Sequence, residues 1–205
     1  MAHDAYLDPY RQSHARHGTD FDVTLWASRT SQELRFRVFT EMCVLAGKRV
    51  LDAGCSRGDL ADYLLRHEIQ FARYIGIDGL TAVIDFARQR GLPDCEFHAA
   101  DFVTQPQSLT TGDPQVICIS GALNTMADAQ VQQALDAAWK AAGHTLMFNF
   151  LSDRCGKLAT GQSYPARRLD ALHLLDWALR QTSQVAYRQD YFKHGHDATI
   201  VMHKE

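Results

Sequence analysis

The chain has 205 residues, 46% of them hydrophobic and 22% charged, which is ordinary for one soluble globular domain. Its formal net charge of −3 argues against a surface that neutralises nucleic-acid phosphates, so we expect no DNA partner. No apolar run approaches the roughly 18 residues of a membrane helix, and we expect no membrane partner. Five cysteines without a C-x-x-C pair, and a start unlike a signal peptide, favour free thiols in the cytoplasm over disulfides or a zinc site.

Residues 1–27 are polar and show no sustained periodicity. A disordered tail is one interpretation. However, the segment holds five large apolar side chains, which indicate that it folds onto the domain and covers a ligand crevice as a lid. They are Tyr6, Tyr10, Phe21, Leu25 and Trp26. The spacing of His3, His14 and His17 fits no standard metal-ligand motif. We therefore divide the chain into an N-terminal lid or partly disordered segment, 1–27, and a main domain, 28–205.

A helix is predicted from about residue 28, because Leu34, Val38 and Met42 recur at helical intervals. Gln32 and Arg35 lie off this apolar stripe. They form either a solvated face or the polar side of a lid helix that reaches a carboxylate of the ligand.

Residues 49–60 read as a short buried strand, a glycine turn and the start of a helix. The strand ends at Asp52, and Gly54 and Gly58 frame the turn. This unit is typical of nucleotide-binding α/β sheets, because glycine permits φ > 0 and close approach of a ligand. The dinucleotide pattern G-x-G-x-x-G is absent, and Asp52 would repel pyrophosphate but attract an ammonium group. A tight turn without a ligand is the alternative.

Two more predicted strands are followed by acids. Residues 72–78 end in Asp78, followed by Gly79, and residues 95–100 precede Asp101 and Phe102. Ends of parallel strands share one edge of the sheet, where ligands bind in open α/β folds. A carboxylate such as Asp78 can accept two hydrogen bonds from a ribose diol. A single Asp is more often a turn former, but three at successive strand ends favour a binding site.

The second half continues the alternation of helices and strands. We predict helices over 80–90, 127–142 and 166–181, and strands over 115–120, 144–151, 183–191 and 196–203. Residues 153–165 form a predicted loop at the ligand edge of the sheet, and so a candidate wall for a second ligand. In the helix over 127–142 we expect three side chains to point inward, Val131, Leu135 and Ala138. In the helix over 166–181 three leucines lie near one face: Leu169, Leu172 and Leu179.

The glycine run and the acids after it resemble the motifs of class I S-adenosylmethionine-dependent methyltransferases, with Ser56 where a middle glycine is commonest. The likeness covers about residues 28–204. It implies a Rossmann-like, doubly wound α/β sheet of seven strands, mostly parallel with one antiparallel C-terminal strand. A narrower likeness is to small bacterial methyltransferases without assigned substrates, through residues 25–29, Gln32, Arg35, Phe36, 148–152, Asp190, Tyr191 and Thr199.

The resemblance implies S-adenosylmethionine as cofactor. Asp52 and the glycine run then hold the methionine end, directly or through water, Asp78 holds the ribose, and Asp101 with Phe102 holds the adenine. Ser120 and Asn124 border the methyl group. The complete set of expected cofactor residues is Trp26, Arg35, Asp52, Ala53, Gly54, Cys55, Ser56, Gly58, Asp78, Gly79, Leu80, Asp101, Phe102, Ser120 and Gly121.

The methyl acceptor is predicted to be a small molecule with an O, N or S nucleophile, because the appended segments are short. The alternatives are a protein or RNA methyltransferase, a non-catalytic binding protein, and an NAD-dependent dehydrogenase. No general base stands out. The His194-His196 pair has two interpretations: polar residues of a turn without a role in catalysis, or a catalytic base near the pocket. The candidates for a catalytic role are Asn124, Asn149, Tyr164 and His194.

Overall fold

The computed structural model describes residues 4–159, 161–162 and 164–205; residues 1–3 of the predicted lid, and 160 and 163 of the predicted loop, lie outside these ranges. The strands are β1 (Arg49–Ala53), β2 (Arg73–Asp78), β3 (Cys95–Ala99), β4 (Val116–Ser120), β5 (Thr145–Leu151), β6 (Val185–Arg188) and β7 (Asp197–His203). The α-helices in this part of the chain are α1 (Asp8–His17), α2 (Arg29–Met42), α3 (Asp59–Arg66), α4 (Thr81–Gln89), α5 (Asp128–Ala141) and α6 (Ala171–Gln181).

The seven strands form one sheet in the order β3-β2-β1-β4-β5-β7-β6. Only β7 runs antiparallel to its neighbours β5 and β6, which confirms the predicted fold. The strand order reverses between β1 and β4, the point where doubly wound sheets bind ligands. Because β7 is antiparallel, its first residues lie at the edge where the parallel strands end.

Two hydrophobic layers cover the sheet, one on each face. Leu51 and Ile117 point into the layer of α5 and α6. Their neighbours Val50 and Val116 point into the layer of α2, α3 and α4. Strands covered on both faces are apolar throughout, which explains the continuous hydrophobic runs in the sequence. Helix α5 buries the three residues predicted for it, Val131, Leu135 and Ala138.

Helix α6 differs from the prediction in its start and in its buried face. It begins at Ala171 rather than 166, because residues before it pair with the end of β5 through Leu169 N–H and Leu151 C=O at 2.8 Å. The leucines grouped near one face do not form its buried side, since Leu172 and Leu179 are 56% and 53% exposed. Leu174 and Trp177 are buried in their place.

Helix α2 buries two polar residues that the apolar stripe excluded. Gln32 is 5% exposed and Arg35 is 4% exposed, so the interpretation of a solvated face is wrong for both. A Gln32 Nε2 hydrogen bond to Asp59 Oδ2 at 3.4 Å satisfies the first. Arg35 lies in the site described below.

Candidate functional site

A cavity of about 520 Å³ opens at the edge where the parallel strands end. Its walls come from the strand ends, the segment 4–27 and the loop before α6. Thirteen residues that the sequence predicted line it: Trp26, Arg35, Gly54, Ser56, Asp78, Gly79, Leu80, Asp101, Phe102, Ser120, Gly121, Asn124 and Tyr164.

The glycine loop after β1 is held by the end of β2. The N–H groups of Gly54 and Cys55 both donate to the carbonyl of Ile77, at 2.8 and 3.0 Å. Gly54 has φ +82°, and a Cβ there would lie 2.8 Å from Ala122 Cβ. Glycine is therefore required at this position both for its backbone angle and for space.

Asp78 couples the glycine loop to the cavity. Its Oδ2 accepts the N–H of Ser56 at 2.9 Å, and its Oδ1 accepts the N–H of Leu80 at 2.9 Å. Burial raises the pKa of Asp78 to about 6, although both of these hydrogen bonds oppose the change. Each oxygen keeps a second lone pair, so the carboxylate can still accept two hydroxyl groups from a ligand in the cavity.

Arg35 is fixed in the wall by charge and by stacking. It forms a buried ion pair with Asp197, and its guanidinium carbon lies 4.3 Å and 4.4 Å from the ring centroids of Trp26 and Phe192. Asp197 also accepts the hydroxyl of Tyr191 at 2.9 Å. A planar cation between two aromatic rings keeps one orientation, so Arg35 presents a rigid polar edge to the cavity.

Two asparagines shape the end of β4. Asn149 Oδ1 accepts the N–H of Gly121 at 2.9 Å, and its Nδ2 donates to Ser120 Oγ at 3.0 Å. Asn124 lines the cavity and accepts the N–H of Leu151 through Oδ1 at 2.9 Å. Because these amides are engaged by neighbouring groups, both side chains position the backbone around the cavity.

Six of the predicted residues do not line the cavity: Asp52, Ala53, Cys55, Gly58, Asn149 and His194. Asp52 lies behind the glycine loop, where its Oδ2 accepts the hydroxyl of Tyr74 at 2.5 Å. Its Oδ1 is buried without a hydrogen-bond partner among the described residues, and burial raises the pKa of Asp52 to about 7. His194 sits in the turn before β7 at φ +66°.

Several cavity residues are missing from the predicted site, among them Leu7, Arg168 and His196, whereas Tyr6 and Tyr10 line it as part of the segment predicted to be a lid. Tyr6 and Tyr10 are four residues apart, which places them on one side of a helical segment, and this spacing was a usable signal. His196 directly precedes the antiparallel strand β7, so the fold brings it, rather than His194, to the ligand edge.

His196 is held in one protonation form by its surroundings. Its Nδ1 lies 3.4 Å from the carbonyl of Lys193, which can only accept, so Nδ1 carries the hydrogen and Nε2 keeps a lone pair. Burial lowers the pKa of His196, aided by Arg35 and Arg168 and opposed by Asp197 and the Lys193 carbonyl. The neutral ring is thus an acceptor at neutral pH.

Within the described part of the chain, no group of three His, Cys, Asp or Glu residues could hold a metal ion. None of its helices is long and apolar enough to cross a membrane.

Comparison with known proteins finds a family match for part of the chain and a shared fold for most of it. Residues 50–143 match the family described as a methyltransferase domain, while no curated protein sequence matches the chain. Magnesium protoporphyrin IX methyltransferase from Synechocystis PCC 6803, with bound S-adenosylmethionine, is 13% identical at a TM-score of 0.65, covering 98% of this chain and 92% of that one. An S-adenosylmethionine-dependent methyltransferase from Archaeoglobus fulgidus is 14% identical at 0.67, covering 90% and 98%.

The small RNA methyltransferase HEN1 shares the fold as well, at 11% identity and a TM-score of 0.68, covering 86% of this chain and 25% of that one. These likenesses concern the fold, and the matched segment adds the domain that carries the glycine loop and the acidic strand ends. Together they show that residues 50–143 match a methyltransferase domain and that the chain has the fold of class I S-adenosylmethionine-dependent methyltransferases.

Proposed function

We propose that the chain transfers the methyl group of S-adenosylmethionine to a small-molecule acceptor by in-line displacement. The observation that carries the proposal is the cavity of about 520 Å³, a size typical of small-molecule sites. The segment 4–27 covers one side of it, and the loop before α6 covers another. A nucleic acid strand would favour an open, positively charged groove, whereas this chain has a net charge of −3.

The residues at the β1, β2 and β3 ends fit the cofactor. Asp78 offers two free lone pairs to the ribose hydroxyls, and the apolar Leu80, Val83 and Phe102 line the part of the cavity assigned to the adenine ring. The bend at Gly54 leaves room for the methionine end beside the loop backbone. Asp52 lies behind this loop, so we assign it to the methionine ammonium group through water rather than by direct contact.

The acceptor then lies over the ends of β4, β5 and β7, the part of the edge left beside the cofactor. Strands are spaced about 4.8 Å apart, so the start of β7 is roughly 10 Å from the end of β4. His196 lines the cavity there with Nε2 as a proton acceptor. We assign it as the general base, aided by a loop wall that includes Tyr164.

The bound cofactor supplies a methyl group on a positively charged sulfur, which leaves as neutral S-adenosylhomocysteine with the electrons of the broken C–S bond. His196 Nε2 takes the proton of the acceptor O–H or N–H group, whose electron pair forms the new bond to carbon. Ser120 and Gly121, held by Asn149, fix the backbone next to this reaction. The protein therefore aligns the two reactants, excludes water from the site and deprotonates the acceptor.

Segment 4–27 is part of this proposal as a lid, and residues 28–205 are the transferase domain. All five cysteines are free thiols: Cys43, Cys55, Cys95, Cys118 and Cys155. Free thiols support a cytoplasmic location, where they stay reduced.

The test is incubation with methyl-labelled S-adenosylmethionine and three separate pools: a metabolite extract, total RNA and a protein extract. We expect label in low-mass products of the metabolite pool, with heat-denatured chain as control. Label in RNA or protein would replace the proposed acceptor class. Binding of S-adenosylhomocysteine without transfer to any pool would support a non-catalytic binding protein.

A further inference from the structure

The carboxylate of Asp101 is already surrounded by donors from the protein itself. The hydroxyl of Tyr6 lies 2.6 Å from both carboxylate oxygens. Val103 N–H donates to Oδ1 at 3.0 Å, and Thr104 Oγ1 donates to Oδ2 at 2.8 Å. A carboxylate has about four lone-pair sites; the single Tyr6 hydrogen is shared between one site on each oxygen, and Val103 and Thr104 take the other two. The amino group of an adenine would have to displace one of these donors.

Tyr6 ties this carboxylate to the segment that covers the cavity. It is 4% exposed and packs into the same hydrophobic layer as Phe102. The next residue, Leu7, fills the space beside Gly79, where a Cβ would come within 2.9 Å of Leu7 Cδ1. The hydrogen bond and this contact fasten the start of the segment directly above the ends of β2 and β3.

The covering segment then passes over the remaining cofactor subsites. Tyr10 lines the same cavity as Asp78, which ends β2, and Thr125, which follows β4. Trp26 lies against Gly121, where a Cβ would fall 2.4 Å from its ring. One continuous segment thus contacts the ends of β3, β2 and β4 in turn, and Asp101 is its first attachment.

We propose that Asp101 is a positioning residue, which anchors segment 4–27 over the cofactor through Tyr6 and does not read the adenine amino group. Adenine is then selected by the shape of the surrounding apolar wall. The proposal departs from the sequence expectation that Asp101 contacts adenine. It rests on the cofactor assignment and is independent of the acceptor.

The test is calorimetry with two ligands, S-adenosylhomocysteine and S-inosylhomocysteine, in which a carbonyl replaces the amino group. The variants are Tyr6→Phe, Asp101→Asn and the double variant, with Tyr187→Phe on the edge strand β6 as a matched control. Each single change should raise the Kd of both ligands by the same factor, about three- to tenfold for a lost charge-assisted hydrogen bond. The double variant should lose no more than the weaker-binding single variant, because each single change already weakens or removes the Tyr6–Asp101 hydrogen bond.

Direct contact between Asp101 and the adenine amino group would give a different pattern of Kd values. The Asn side chain can donate to a carbonyl. If residue 101 contacts the purine directly, Asp101→Asn should therefore shift the binding preference towards S-inosylhomocysteine, and that result would overturn the proposal. So would a Kd unchanged by Tyr6→Phe, which removes one oxygen atom and provides the answer if Asp101→Asn fails to fold. Amide hydrogen exchange in residues 4–17 should accelerate in Tyr6→Phe but not in Tyr187→Phe. A parent protein that binds neither ligand would instead refute the cofactor assignment.

Discussion

The sharpest prediction concerns Asp78, whose replacement by alanine removes both the ribose acceptor and the brace of the glycine loop. Its two oxygens each hold a backbone N–H at 2.9 Å, from Ser56 and Leu80, and each keeps one lone pair for the ligand. A pair of hydrogen bonds to a charged carboxylate contributes roughly 1.5–3 kcal/mol. Asp78→Ala should therefore raise the Kd of S-adenosylhomocysteine about ten- to hundredfold.

Isothermal titration calorimetry measures this change directly. Asp113→Ala is the matched control, because Asp113 is an exposed aspartate beside Arg49 at the opposite edge of the sheet. Its Kd should equal that of the parent. A Kd for Asp78→Ala within twofold of the parent value would refute the ribose assignment.

The same carboxylate predicts a pH dependence. Its pKa is raised to about 6, and the ligand hydroxyls favour the ionised form, so binding weakens as the pH falls through that value. The ionised fraction drops about tenfold between pH 7 and pH 5, and the parent Kd should rise by about that factor. Asp78→Ala should lack this change; an equal rise in the variant would assign the titration to another group.

Three further changes test other parts of the site. Gly121→Ala places a Cβ 2.4 Å from the ring of Trp26 and should lower the melting temperature more than Gly47→Ala, which has a similar φ but open space. With an acceptor found in the label screen, His196→Gln should lower kcat about 10²–10⁴-fold while the Kd of S-adenosylhomocysteine stays constant; an unchanged kcat would remove the assigned base. The pKa of Asp52 is raised to about 7, so the folded state keeps a proton between pH 4 and pH 7 that the unfolded state has lost, and the free energy of unfolding falls as the pH rises. Asp52→Asn should reduce the difference in the free energy of unfolding between pH 5 and pH 8, measured by urea titration, by at most about 3 kcal/mol; an unchanged difference would show that Asp52 is ionised throughout.

Strand positions and the ligand edge could be predicted because their causes are local. A strand covered on both faces needs an unbroken apolar run, and the bend after β1 needs glycine, so both leave a mark within a few residues. The strand ends follow from these marks, and they bring Asp78 and Asp101 to the cavity.

Contacts between distant residues leave no such mark. Arg35 pairs with Asp197, 162 positions away, and Tyr6 with Asp101, 95 positions away. Helical periodicity treats Arg35 as a polar residue outside the stripe, because it contains no information on the distant carboxylate that compensates the buried charge. The same limit explains the choice of His194 over His196. They differ by the two residues that separate the turn from the start of β7, and only the register of the sheet distinguishes them.

The most direct measurement of the central claim is a crystal structure of the protein with S-adenosylhomocysteine. The account predicts the ribose hydroxyls on Asp78, the base between Leu80 and Phe102, and the sulfur pointing from the glycine loop towards Ser120 and the His196 side. A ligand bound elsewhere, or a ribose without contact to Asp78, would contradict it.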